Sequence, residues 1–189
     1  MDKTGVLLAV LNSLKVLVSS DDLRTRRSTG KDRTRITVIE CICVDFKVLL
    51  PLVIWPASTY RANWMTYPTP GWHYGIQENR YTDTAINLKW LIEVFNLQTK
   101  TIANGDTRLL ISDGFGTHES AEIQCFCFEN NIILARLSSH SSHKLQPCDV
   151  GPFGPLKIYY WEEVEQLYRG GSQHVGKPHF TQLYDRTRQ

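Results

Sequence analysis

Three aspartates and a cluster of histidines and serines carry whatever chemistry this chain has. Residues 106–150, DTRLLISDGFGTHESAEIQCFCFENNIILARLSSHSSHKLQPCDV, deliver Asp113 from an apolar run into a glycine-flanked turn. A helical stretch and a second apolar run, Ile132 to Leu137, lead through a Ser/His-rich loop to Asp149. Strand, carboxylate, helix, strand, loop, carboxylate is how an open α/β sheet gathers acidic groups beyond its strand ends. Asp2 is the candidate third member. Hard divalent cations take carboxylate oxygens, and two such ions can activate an attacking oxygen and stabilise a leaving one in phosphoryl transfer. Without a cation, converging carboxylates repel by roughly 4 kcal/mol per pair at about 4 Å in a partly screened site, so a cluster of them implies a metal. The plain alternative for each aspartate is a turn or cap residue, and Asp149 before Gly151-Pro152 suits a helix N-cap.

The other polar groups read in the same two ways. Gly114 and Gly116 allow a sharp turn and a close backbone approach to metal or phosphate. His118, His140 and His143 suit orienting carboxylates or touching phosphates from outside the ligand shell. As a zinc site, His140-x-x-His143 with Cys148 lacks a fourth ligand. Ser138-Ser139 and Ser141-Ser142 lie near histidines, but no nucleophile-elbow pattern is present, which argues against a serine hydrolase. Lys144 is a candidate phosphate contact.

The elements that position these groups follow from periodicity. VLLAVLNSLKVLVSS, 6–20, reads as a hairpin broken at Asn12-Ser13. ITVIECICV, 36–44, and VLLPLVIW, 48–55, read as a second hairpin joined by Asp45-Phe46-Lys47 and covered on both faces; Pro51 points to an edge or bulge. Residues 56–81 are irregular and aromatic-rich and are expected to pack on the core. Thr82 and Asp83 cap a helix to about Phe95, and Asn104-Gly105-Asp106 turns into a strand over 107–112. Thr117 caps the next helix, with Ile123, Phe126 and Cys127 on its buried face, ending at Asn130-Asn131. A last helix runs from Gly151 or Pro152 to about Tyr168. Residues 170–189 read as a polar, weakly ordered tail behind a catalytic-like domain of residues 1–169.

Length and composition bound the rest. The 189 residues suit one domain with an ordinary core, and the net charge of +2 assigns any DNA affinity to a local patch. That patch is the run 21–35, DDLRTRRSTGKDRTR, where Arg24, Arg26, Arg27, Lys31 and Arg33 suit phosphate contact; the plain reading is a solvated loop part-neutralised by Asp21, Asp22 and Asp32. No signal peptide or membrane-length apolar run is evident. Five cysteines without C-x-x-C spacing read as reduced core thiols.

The strings DGFGTHES and ENNIILARLSSHSSHKLQPCDVGPFGPLK, with MDKTGV, VLLPLVIWPAS and NWMTYPTPGW, resemble the catalytic core of DDE-superfamily transposases of the pogo branch of the mariner group. The Ser-His-x-x-His-x-x-Gln-Pro-x-Asp pattern is the most specific part. The resemblance implies an α/β, ribonuclease H-like fold: a mixed five-stranded sheet flanked by helices, its first strand truncated because only Met1 precedes Asp2. It implies two Mg²⁺ or Mn²⁺ ions on Asp2, Asp113 and Asp149, cutting of transposon ends, joining of the 3′ hydroxyl to target DNA, and a nuclear location. Where the family has an acidic residue after its first aspartate, this chain has Lys3. DNA is the implied partner, with no membrane, and a homodimer is an open option. Two hypotheses follow: an active endonuclease, or a catalytically inactive remnant or domesticated DNA- or chromatin-binding protein that keeps the fold.

Overall fold

In the computed structural model the described residues are 1–8, 34–78, 84–113, 120–137, 142–172 and 175–189. Among the described residues six strands form two ladders. β1 (Asp2–Leu7), β2 (Arg35–Glu40), β3 (Leu52–Trp55) and β4 (His73–Ile76) follow in spatial order, antiparallel up to β3 and parallel between β3 and β4. β5 (Arg108–Ser112) and β6 (Ile132–Arg136) form a separate parallel pair. The two ladders meet at Met1, whose amino group donates to the Ile111 carbonyl at 2.7 Å. The sheet is therefore mixed, as expected, but divided into four strands and two instead of a continuous five.

Helices cover both faces of the larger ladder. Leu52 and Ile54 point to one side of β3, where they join Ile39, Met1, Ile86, Trp90 and Val94 in a single core. That core continues onto Leu110, Ile123, Cys127 and Ile132. Val53 and Trp55 point to the other side, with Val6, Ile36 and Val38, against Tyr160, Val164, Phe180, Leu183 and Tyr184. Burial on both faces explains why β2 and β3 are near-continuous apolar runs. Aromatic rings tie the second core together: Trp55 lies 5.5 Å from Trp64 and 5.7 Å from Phe180, which stacks on Tyr184 at 5.2 Å.

Several expectations are corrected in detail. β1 begins at Asp2, ahead of the expected residue 6, and the remainder of the expected first hairpin lies outside the described residues. The β2–β3 hairpin is present, with an isolated bridge between Ile42 and Val48 and Phe46 at positive φ at its tip. Pro51 precedes β3, which is an interior strand and not an edge; it costs no ladder bond there and its carbonyl accepts from the His73 N–H. The aromatic-rich connection does pack on the core through Trp64 and Trp72, but it also contains β4. Four residues among prolines and tyrosines carry too little alternation to be read as a strand.

The helix after β4 is longer than its periodicity suggested. α1 (Thr84–Trp90) passes through a π-helical stretch, Leu91–Asn96, into α2 (Leu97–Ala103). Asn104 and Gly105, both at positive φ, end it and turn the chain into β5. α3 (Ala121–Glu129) is capped by Ser120, whose Oγ accepts from the Ile123 N–H, and not by Thr117, which lies outside the described residues. The stretch after β6, read as a loop, contains α4 (Ser142–Leu145) and α5 (Pro147–Val150) before the expected long helix α6 (Phe153–Arg169). Beyond Gly170-Gly171 the chain is not a weakly ordered tail. It forms α7 (Lys177–Arg188), which buries Phe180, Thr181, Leu183 and Tyr184. Those four sit at helical spacing, but the basic and polar residues between them hide the stripe. The five cysteines are free thiols; Cys41, Cys127 and Cys148 are buried, whereas Cys125 is exposed.

Candidate active site

Each of the three aspartates sits at the end of an element. Asp2 opens β1 and is buried; Asp113 directly follows β5 and is half-buried; Asp149 lies exposed in α5. Two backbone-centred hydrogen bonds converge these elements on Met1. Its amino group donates to Ile111 in β5, two residues before Asp113. Its carbonyl accepts from Gln146 Nε2 at 2.6 Å, three residues before Asp149. Gln146 is fully buried, so a side chain with no contact to solvent fixes the α5 turn against the start of β1.

The electrostatics of Asp2 register this convergence. Its pKa is pushed up from 3.8 to about 6, first by burial and then by the nearby negative charges of Asp149 and Asp113. The Lys3 N–H, donating to Asp2 Oδ1 at 2.7 Å, and the Met1 ammonium pull the other way without winning. Two of the carboxylates thus act on the third from positions more than 100 residues away in sequence. Among the described residues, no group of three or more His, Cys, Asp or Glu side chains is drawn close enough to hold a metal ion. Carboxylate oxygens are the donor type a hard cation prefers, and a positive charge nearby would oppose both burial and like charge in setting the Asp2 pKa.

Lys3 does not sit beside Asp2 on the sheet. Strand alternation turns its side chain to the opposite face, in register with Ile39. Across the ladder Asp2 pairs instead with Glu40, a buried carboxylate that sequence reading missed. Glu40 accepts from Tyr184 Oη at 2.9 Å and from Arg188 Nε and Nη2 at 2.9 and 3.0 Å. Burial raises its pKa while Arg188 opposes the rise. Nothing local marks Glu40 in the sequence, because its partners lie on α7. Gln146 was also missed as a positioning residue, although the Gln-Pro-x-Asp pattern contained its signal.

The remaining candidate residues are distributed as follows. Lys144 is exposed on α4. His143 falls in the same helix. Arg24, Arg26, Arg27, Lys31, Arg33, Gly114, Gly116, His118 and His140 lie outside the described residues. Cys148 is buried near the site; its thiol is pushed up to about 11, chiefly by burial.

Comparison with known proteins gives two matches. Residues 33–181 match the model of a family described as DDE superfamily endonuclease, a stretch that includes Asp113 and Asp149 and begins after Asp2. Over 181 residues the chain is 32% identical to a protein of Cochliobolus lunatus named MFS-type transporter clz9. That similarity covers 95% of this chain but only 20% of the relative, so the chain spans about a fifth of that protein's length. Among the described residues no helix is long and apolar enough to cross a membrane. No solved structure matches.

Proposed function

Because the chain belongs to the DDE superfamily of endonucleases, we propose that it is a metal-dependent DNA endonuclease or strand transferase of ribonuclease H-like fold, with Asp2, Asp113 and Asp149 as its acidic triad. The observation that carries this reading is the pair of hydrogen bonds from Met1 to Ile111 and Gln146, which tie the elements bearing Asp113 and Asp149 to the start of β1. The mixed α/β layering, with helices on both faces of a mixed sheet, is compatible with that fold.

The three carboxylates would hold two Mg²⁺ or Mn²⁺ ions. When bound, such ions activate the attacking oxygen and stabilise the leaving one in an in-line displacement at phosphorus. The chain's own residues do the rest. Asp2, buried at the base of the site, supplies its charge where solvent screens it least. Asp149, exposed on α5, offers its oxygens from the solvent side, where DNA would approach. Gln146 and Ile111 hold the Met1 backbone, and so fix Asp2 relative to the other two. Lys144, exposed five residues before Asp149, is placed for a phosphate of the bound strand. Arg24, Arg26, Arg27, Lys31 and Arg33 would add backbone contacts, and His118, His140 and His143 would orient carboxylates or phosphates. A DNA substrate implies work in the nucleus.

The test is nicking of supercoiled plasmid by the full chain with and without Mg²⁺. Cleavage that requires the metal and disappears in Asp113→Asn supports the proposal. A folded wild-type protein that never cuts DNA with Mg²⁺ or Mn²⁺ would instead identify the chain as a non-catalytic relative.

A further inference from the structure

At the opposite end of β1 from Asp2 lies a second polar feature that the triad does not use. An open cleft of about 500 Å³ is lined by Ser58, Thr59, Arg61, Asn63, Trp64 and Lys177, among others, and among the described residues no carboxylate lines it. Leu8, immediately after β1, forms part of its wall. Six residues of strand separate Asp2 from Leu8, so the cleft and the aspartates are roughly 20 Å apart along the sheet.

Two cations meet in this cleft. Lys177, at the start of α7, has its Nζ 4.0 Å from the centroid of the buried Trp64 ring and donates to the Pro56 carbonyl at 3.0 Å. Those contacts hold the ammonium in place but bring no negative charge. Arg61, on the exposed connection beside it, is close enough that its charge opposes protonation of Lys177, adding to the effect of burial. Among the described residues neither cation is paired with a carboxylate. Two cations lining one cleft, with no carboxylate beside them among the described residues, complement an anion. The neighbouring donors, a guanidinium, an ammonium, two hydroxyls and an amide, suit the several oxygens of a phosphate.

We propose that this cleft is a second DNA contact, binding a backbone phosphate about 20 Å from the aspartates through Arg61 and Lys177, an assignment that rests on the DNA-endonuclease reading. Trp64 serves as the floor that positions Lys177; its face is occupied by the ammonium and is not offered to a base. The open side of the cleft lets a strand pass, where a small free anion would need no such exit. Phosphates recur about every 3.4 Å along one strand axis. Because each strand also winds about the duplex axis, a duplex lying along the sheet with one phosphate at the aspartates would meet the cleft with a phosphate of the opposite strand across a groove.

The experiment is fluorescence anisotropy of a labelled 20-base-pair duplex with the full chain in EDTA, titrated with salt. Arg61→Gln is expected to weaken binding several-fold and to make the plot of log K against log salt shallower by about 0.9. The hydrogen bond Arg61 makes to Trp64 uses its main-chain carbonyl, and the side chain is exposed, so this variant is expected to stay folded. Lys177→Arg should keep both affinity and slope, whereas Lys177→Gln should lose them. Wild-type affinity and slope in Arg61→Gln and Lys177→Gln would overturn the assignment, as would a wild type that binds pyrophosphate in the cleft but no duplex. Plasmid nicking separates the two proposals. Duplex binding that depends on Arg61 without any cleavage keeps the cleft and removes the enzyme; cleavage and binding indifferent to Arg61 do the reverse.

Discussion

Asp2 and Glu40 stand opposite one another in the β1–β2 ladder, both buried, yet they meet opposite surroundings. Glu40 is gripped by Arg188 and Tyr184, whereas Asp2 is faced by the charges of Asp113 and Asp149. One carboxylate is neutralised by the protein itself. Its neighbour accepts a hydrogen bond from the Lys3 N–H, while burial and, after it, like charge push its pKa up.

Arg188 is the first residue whose loss should be felt. It contacts both Glu40 oxygens, donates to the Leu49 carbonyl at 2.7 Å and lies over the Trp72 ring. Arg188→Ala leaves a buried carboxylate with only a tyrosine for company. Urea unfolding should show a loss of about 3–5 kcal/mol, and Glu40→Gln in the same background should restore part of it. A loss below about 1 kcal/mol would mean that α7 does not depend on this pair.

Asp2 predicts a pH dependence of opposite sense to a stabilising carboxylate. Its pKa is about 6 in the folded chain against 3.8 for the free side chain, so between those values the folded state holds the proton more firmly. Stability of the metal-free protein should therefore be greatest below pH ~4 as far as this group is concerned, and should fall as pH rises through about 6, by up to about 3 kcal/mol. Asp2→Asn removes that fall. Urea midpoints measured at several pH values for both proteins check it, and parallel curves would count against the shift.

The Asp2 titration should respond to the charges of the other two aspartates. Asp149 raises the Asp2 pKa more than Asp113 does. Following the Asp2 carboxyl carbon by NMR, Asp149→Asn should lower its midpoint, and Asp113→Asn should lower it by less. If neither substitution moves Asp2, the aspartates are not neighbours and the triad is wrong.

How much of this could be read beforehand differs from element to element. The β5–α3–β6 unit was legible, because Leu109 to Ser112 and Ile132 to Arg136 are short apolar runs flanked by turn residues, and both later aspartates follow from it. β4 and α7 were not. The first is four residues long, and the apolar stripe of the second is diluted by the charges that also let it reach Glu40. Glu40 and Arg188 are 148 residues apart, and no local pattern encodes such a pair. Gln146 falls between these cases: its place in the Gln-Pro-x-Asp string was visible, but its grip on Met1 is a tertiary fact.

Arg108 offers a test away from the site. At the start of β5 its guanidinium donates to the Asn130 carbonyl at 2.6 Å and to Thr99 Oγ1 at 3.0 Å, and it lies over the Phe95 ring. It joins the end of α2 to the turn before β6 without any carboxylate. Arg108→Met keeps the stem but strands those acceptors, and about 2–4 kcal/mol of stability should be lost in chemical denaturation. Arg108→Lys should recover only part, because one ammonium cannot reach both partners in the same geometry.

The bond from Met1 to Ile111 uses only main-chain atoms, so it tolerates any side chain at position 1. Gln146 is the part of this anchor that a substitution can reach. Gln146→Ala removes the donor to the Met1 carbonyl and should loosen the start of β1 against α5, while the β1–β2 register, held by its own ladder, stays in place.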